Sequence, residues 1–139
     1  MASRSLQQMQ ALRPREVTIG GVVVITAAGA ISAQGTMDNA GNVPVSDPKL
    51  VGATVTKTAA KTGRYGIAFD RVYKRIKAAG CSMVGPDDTA FPTTTGVDPM
   101  LRLLTSSGFS VQFCRQDTMV DADPASGTKF TWWAIVALK

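Results

Sequence analysis

The stretch KFTWWAIVALK, residues 129–139, decides how this chain is read. Counted by twos, Phe130, Trp132, Ala134, Val136 and Leu138 form one apolar row, and Trp133, Ile135 and Ala137 form a second. Successive side chains of a strand point to opposite faces, so a strand here presents apolar surface on both. Such a strand belongs in the middle of a sheet, between layers, or against another subunit. Pairing on both of its edges would also keep this end of the sequence from fraying.

Working outward, the polar, turn-forming DADPASGT (121–128) reads as the loop that leads into this strand. Before it, FSVQFC (109–114) places Phe109, Val111 and Phe113 on one face. LVGATVTKT (50–58) and RYGIAFD (64–70) both alternate and are separated by a turn at Lys61–Gly63, which predicts a hairpin with Tyr65, Ile67 and Phe69 in the core. VTIGGVVVIT (17–26) reads as a strand or a bent pair of strands, with Gly20 and Gly21 as bulge or turn. RVYKRIKAAGCSMVG (71–85) is compatible with a short helix through Val72, Ile76 and Ala79; its continuation favours a strand beginning near Lys74. SAQGTMDNAGNVPVSDPK (32–49), dense in Gly, Asn, Asp and Pro, reads as a long surface loop.

One segment carries a helix signal. Asp98 stands as N-cap, Pro99 at the first helical position, Met-Leu-x-Leu-Leu follows, and Gly108 comes just past the end, which predicts a short helix near 99–106. With 45% hydrophobic and 18% charged residues, 13 Gly and 7 Pro in 139 residues, the composition suits β-structure. The expectation is an all-β protein, an antiparallel two-layer sandwich or a jelly-roll-like barrel, with a basic N-terminal arm at 1–16 and a single β-rich domain at 17–139. The apolar run from Gly20 also has signal-peptide features, but Glu16 before it and its β-branched start favour an ordinary strand. It is too short and Gly-rich to span a bilayer, so no membrane partner is expected.

The chain has no His, which removes the commonest general base and metal ligand together with any Ser-His-Asp or Cys-His arrangement. Cys81 and Cys114 have no second Cys or His at ligand spacing and read as buried free thiols, with a cross-strand disulfide as the alternative. Asp117, Asp121 and Asp123 lack the Gly and Glu of a calcium loop and read as a polar loop. Asp87 and Asp88 read as turn chemistry, and KTGRYG lacks the helix that a phosphate cradle needs. The expectation is therefore a non-enzymatic protein with no cofactor and no metal site. A net charge of +5 favours an acidic partner. Stacking of bases on Tyr65, Tyr73 or Trp133 beside Arg64, Arg71 and Arg75 is one way to use it, but Tyr65 reads as core and nucleic acid is not the favoured partner.

The order of LRPREVTIGG (12–21), VGATVTKTAAKTGRYGIAFDRVY (51–73), VGPDD (84–88) and DPASGTKFTWW (123–133) resembles the capsid decoration, or cement, proteins of tailed bacteriophages and closely related small virion structural proteins. The likeness covers residues 13–138 as a layout rather than one signature. It implies a β-rich homotrimer, made in the host cytoplasm, that binds the major capsid protein on the capsid exterior and stabilises the shell by bridging subunits. A fibre or connector subunit of the same virion shares the layout, and a monomeric basic β-domain on nucleic acid or another acidic surface is the further alternative. On the decoration reading the capsid-facing candidates are Arg4, Arg13 and Arg15 in the arm and Asp38, Asn42 and Lys49 in the loop, since flexible polar segments can order on a partner. Phe130, Trp132, Trp133 and Ile135 are the subunit-interface candidates.

Overall fold

The computed structural model describes residues 16–37, 52–84 and 96–138. Among the described residues eight strands follow one another: β1 (Glu16–Ile25), β2 (Ile31–Gly35), β3 (Ala53–Lys57), β4 (Arg64–Phe69), β5 (Arg75–Val84), β6 (Val97–Thr105), β7 (Gly108–Arg115) and β8 (Lys129–Ala137). They form two antiparallel four-stranded sheets, β2-β1-β8-β5 and β3-β4-β7-β6, which stay open rather than closing into a barrel. This is the two-layer sandwich that the alternating strands require to cover their apolar faces.

Strand β8 lies between β1 and β5, paired with both along its length, as its doubly apolar sequence demands. Phe130, Trp132, Ala134 and Val136 enter the core with Val23, Tyr65, Ile67, Phe109, Val111 and Phe113. Tyr65 anchors the centre: its ring meets Phe113 and Phe130 at centroid distances of 5.6 and 5.3 Å, and its hydroxyl donates to the Gly29 carbonyl at 2.5 Å. Gly29 belongs to a single 3-10 turn, Ala27–Gly29, that links β1 to β2.

Three sequence expectations are corrected. Residues 99–105 are strand rather than helix, with 106 in the turn that follows, and the described residues contain no α-helix. Two turns of isolated helix are marginal in water, whereas β7 pairs with this segment from Val97 to Arg102 and again at Thr105, with an irregularity between. Pro99 fits because β6 is an edge strand, where a missing donor is tolerated. Gly20 and Gly21 form neither bulge nor turn: β1 keeps register with β8 through both, and its irregularity falls at Val24/Ile25. The segment read as a loop from Ser32 begins instead as β2, which Gln34 fixes by reaching across to β3. Its amide donates to the Val55 carbonyl at 2.8 Å and accepts the Val55 N–H at 2.7 Å, so one side chain satisfies an edge backbone.

Candidate functional site

The capsid-facing candidates Arg4, Arg13, Arg15, Asp38, Asn42 and Lys49 lie outside the described residues. The interface candidates divide by strand parity. Phe130 and Trp132 are buried in the chain's own core, which corrects their expected place between subunits: cross-strand packing inside the sandwich already covers them. Trp133 and Ile135 point the other way, onto the outer face of the β1-β8 sheet, and Trp133 is 40% exposed.

That outer face is built around two glycines. Gly20 on β1 and Gly80 on β5 stand directly opposite Trp133 on either side of β8. A Cβ at Gly80 would lie 2.4 Å from the Trp133 Nε1 and Cε2 atoms, so the indole rests flat over a residue with no side chain. At Gly20 a Cβ would meet the Trp132 carbonyl at 2.6 Å and the Trp133 Cβ at 3.3 Å. The ring is thus held by backbone on a central strand, a rigid aromatic with one side open to solvent. The register puts Val22 with Thr131 on one side of it along the ladder and Ile135 with Thr18 and Ala78 on the other, while the basic residues Arg75 and Lys129 lie farther off toward the two ends of β8. Lys77 pairs with Glu16 across β8.

Elsewhere two acidic residues are committed to local structure. Asp123 accepts the Gly63 N–H at 2.7 Å and pairs with Lys57, which ties the loop before β8 to the β3–β4 hairpin. Asp117 forms a two-pronged pair with Arg115, at 3.0 and 2.7 Å, and this hydrogen bonding holds its carboxyl below the usual range. The Arg64 Nε donates to Gln112, whose own amide donates to the Thr62 carbonyl. No group of three or more metal-ligating side chains occurs among the described residues.

Both cysteines are free thiols. Burial pushes Cys81 up to about 12, and burial with the neighbouring Asp121, which accepts the Cys114 thiol at 3.6 Å, raises Cys114. Both therefore stay protonated at neutral pH and are poor nucleophiles. Cys81 lines a cavity of about 1050 Å³ between β5 and β6, together with Met83, Val97, Asp98, Pro99 and the Ala125–Thr128 turn. Its polar groups do not pair a nucleophile with a base.

Of the three aromatics considered for base stacking, Tyr65 and Tyr73 are core residues, with Tyr73 packed edge-on against Phe69 at 5.5 Å. Trp133 is the exposed aromatic among the described residues. Sequence reasoning missed the apolar rim at β6, where Met100, Leu101, Leu103 and Leu104 are all exposed and Leu103 reaches 78%. The signal was present in Met-Leu-x-Leu-Leu beside Pro99, but a helix accounts for it equally well until β7 is seen to pair with it. No family model, no curated protein and no solved structure matches this chain.

Proposed function

We propose that this chain is a non-enzymatic structural protein that docks through the outer face of the β1-β8 sheet on an acidic protein surface, the exterior of a tailed-phage capsid in the reading its sequence suggests. The observation that carries the proposal is Trp133, seated on Gly80 and 40% exposed on the outer face of a sheet whose outer strand also carries Arg75 and Lys77. A rigid aromatic anchor loses little conformational entropy on binding, and residues of this type dominate binding energy at protein interfaces. The net charge of +5 steers the encounter with an acidic partner and makes its rate depend on salt.

Stabilisation of the partner follows from mass action. A protein that binds an assembled shell and not its separated subunits lowers the free energy of the assembled state, and bridging two subunits adds avidity. Base stacking on single strands uses successive aromatic rings, whereas this face carries one.

The test is co-sedimentation of the purified chain with shells assembled from a tailed phage's major capsid protein, with the unassembled subunits as control. Binding to shells alone is expected, weakening as salt rises, with Trp133→Ala reducing affinity by roughly thirtyfold, as loss of an interface anchor of about 2 kcal/mol requires. Absence of binding at low salt, or binding indifferent to both salt and Trp133, would refute the proposal.

A further inference from the structure

A second surface, remote in sequence from the Trp133 face, fits a second copy of this chain. Strand β6 is the outer strand of its sheet. The Phe113 N–H bonds to the Gly63 carbonyl, away from β6. In an antiparallel ladder the bonded pairs alternate, so Pro99 opposite Phe113 and Leu101 opposite Val111 turn their backbone groups outward from the sheet edge. The Leu101 N–H and the carbonyls of Pro99 and Leu101 are thereby offered to an incoming strand.

Natural sheets blunt such edges, because an open apolar edge invites pairing with another chain. This protein does so at β3, where the Gln34 amide occupies the Val55 backbone. Strand β6 carries Pro99 and loses its register between Arg102 and Thr105, so its regular open stretch is short; there Met100 and Leu101 are exposed beside the outward backbone, with Leu103 and Leu104 exposed in the irregular stretch beyond.

The charges on β6 are self-complementary. Asp98, Met100 and Arg102 face the same side, opposite Cys114, Gln112 and Ser110. When two copies of β6 pair antiparallel about a twofold axis through Met100, Asp98 of each copy falls opposite Arg102 of the other, and Leu101 falls opposite Pro99. Leu101 then donates its N–H to the Pro99 carbonyl, and the donor that Pro99 lacks is not needed for that bond. The Arg102 carbonyl accepts from the Ser110 hydroxyl at 3.3 Å, but its guanidinium makes no hydrogen bond or ion pair among the described residues, and the Asp98 carboxylate accepts only from the exposed Gln116 amide there, at 2.8 Å. An opposite-charge pair directly across an antiparallel ladder is stabilising, and like charges there are repulsive. The twofold repeats each contact, as an isologous interface must.

We infer that two copies of this chain associate through β6, joining their sheets edge to edge in the register that sets Asp98 against Arg102. This contact is independent of capsid binding, and the isolated protein tests it. Sedimentation of the full chain from low to high micromolar concentration should read a dimer or an even multiple. Asp98→Arg and Arg102→Asp should each weaken the association roughly tenfold by replacing two attractions with two repulsions, and the double reversal should restore it. Met100→Cys, an exposed substitution on the twofold axis, should crosslink two copies under mild oxidation where Leu104→Cys does not. Monomers at every concentration, a trimer, an association blind to both charge reversals, a double reversal that stays dissociated while keeping its native circular dichroism, or crosslinking at Leu104→Cys and not at Met100→Cys would each overturn the inference. Capture of some other protein by β6, with the chain itself monomeric, would overturn it equally.

Discussion

Gly80→Ala should dislodge the exposed indole, and its effect should change sign once that indole is removed. The added Cβ would sit 2.4–2.5 Å from Nε1, Cε2 and Cζ2 of Trp133, inside any tolerable contact, so the ring must swing off β5. A tryptophan buries about 150–250 Å² when fully covered, and Trp133 is 40% exposed, which leaves about 90–150 Å² in contact with the sheet. If the Gly80 side supplies about half of that, displacement costs about 1–2 kcal/mol at ~25 cal/mol per Å². Replacing Gly by Ala in a strand regains about 0.5–1 kcal/mol of backbone entropy. The net loss in the natural background is therefore about 0.5–1 kcal/mol, and in a Trp133→Ala background the same change should stabilise by about that much. Urea unfolding of the four proteins of this cycle measures it, with tryptophan emission shifting to the red in Gly80→Ala because the core Trp132 does not move. Equal effects in both backgrounds, with a coupling below about 0.3 kcal/mol, would show that the indole does not rest on Gly80.

Two further outcomes follow from the interior. Burial raises Cys81 from 9.0 to about 12, so above pH 9 the unfolded chain releases a proton that the folded chain keeps. Stability from this thiol is complete below pH 9 and falls as pH rises toward 12, with a slope approaching about 1.4 kcal/mol per pH unit. Cys81→Ser should flatten the alkaline limb of a stability–pH profile by one proton, and an unchanged slope would remove Cys81 as its source. Gln34→Ala strips both bonds from the Val55 backbone and should cost about 1–3 kcal/mol in urea unfolding. A loss of a few tenths would mean that water replaces the amide at that edge.

The alternation of Tyr65, Ile67 and Phe69 and of Phe109, Val111 and Phe113 made the core rows of two neighbouring strands legible, because a period of two is a property of the backbone itself. The doubly apolar row of Phe130–Leu138 likewise narrowed β8 to the middle of a sheet, a place between layers or a subunit contact, and its pairing with β1 and β5 decides for the first. Sequence could not say which of its two faces meets the other sheet, since both are apolar enough. The Trp132 face is covered by the second sheet, and the Trp133 face is left outward over Gly80. The candidate site therefore required the assembled sheets. So did the fate of Met100–Leu104, whose spacing satisfies a helix and an edge strand alike, and that of Ile31–Gly35, whose short run shows its strand character only beside β1.

The sequence by itself thus determined the all-β class, the two apolar faces of the last strand and the absence of histidine chemistry. These depend on residue type and on separations of two along one chain. Only the tertiary structure decided which apolar faces remain outside, which backbone edge is capped and which is open. Those depend on what lies across the ladder and across the sandwich, at separations that local pattern does not encode.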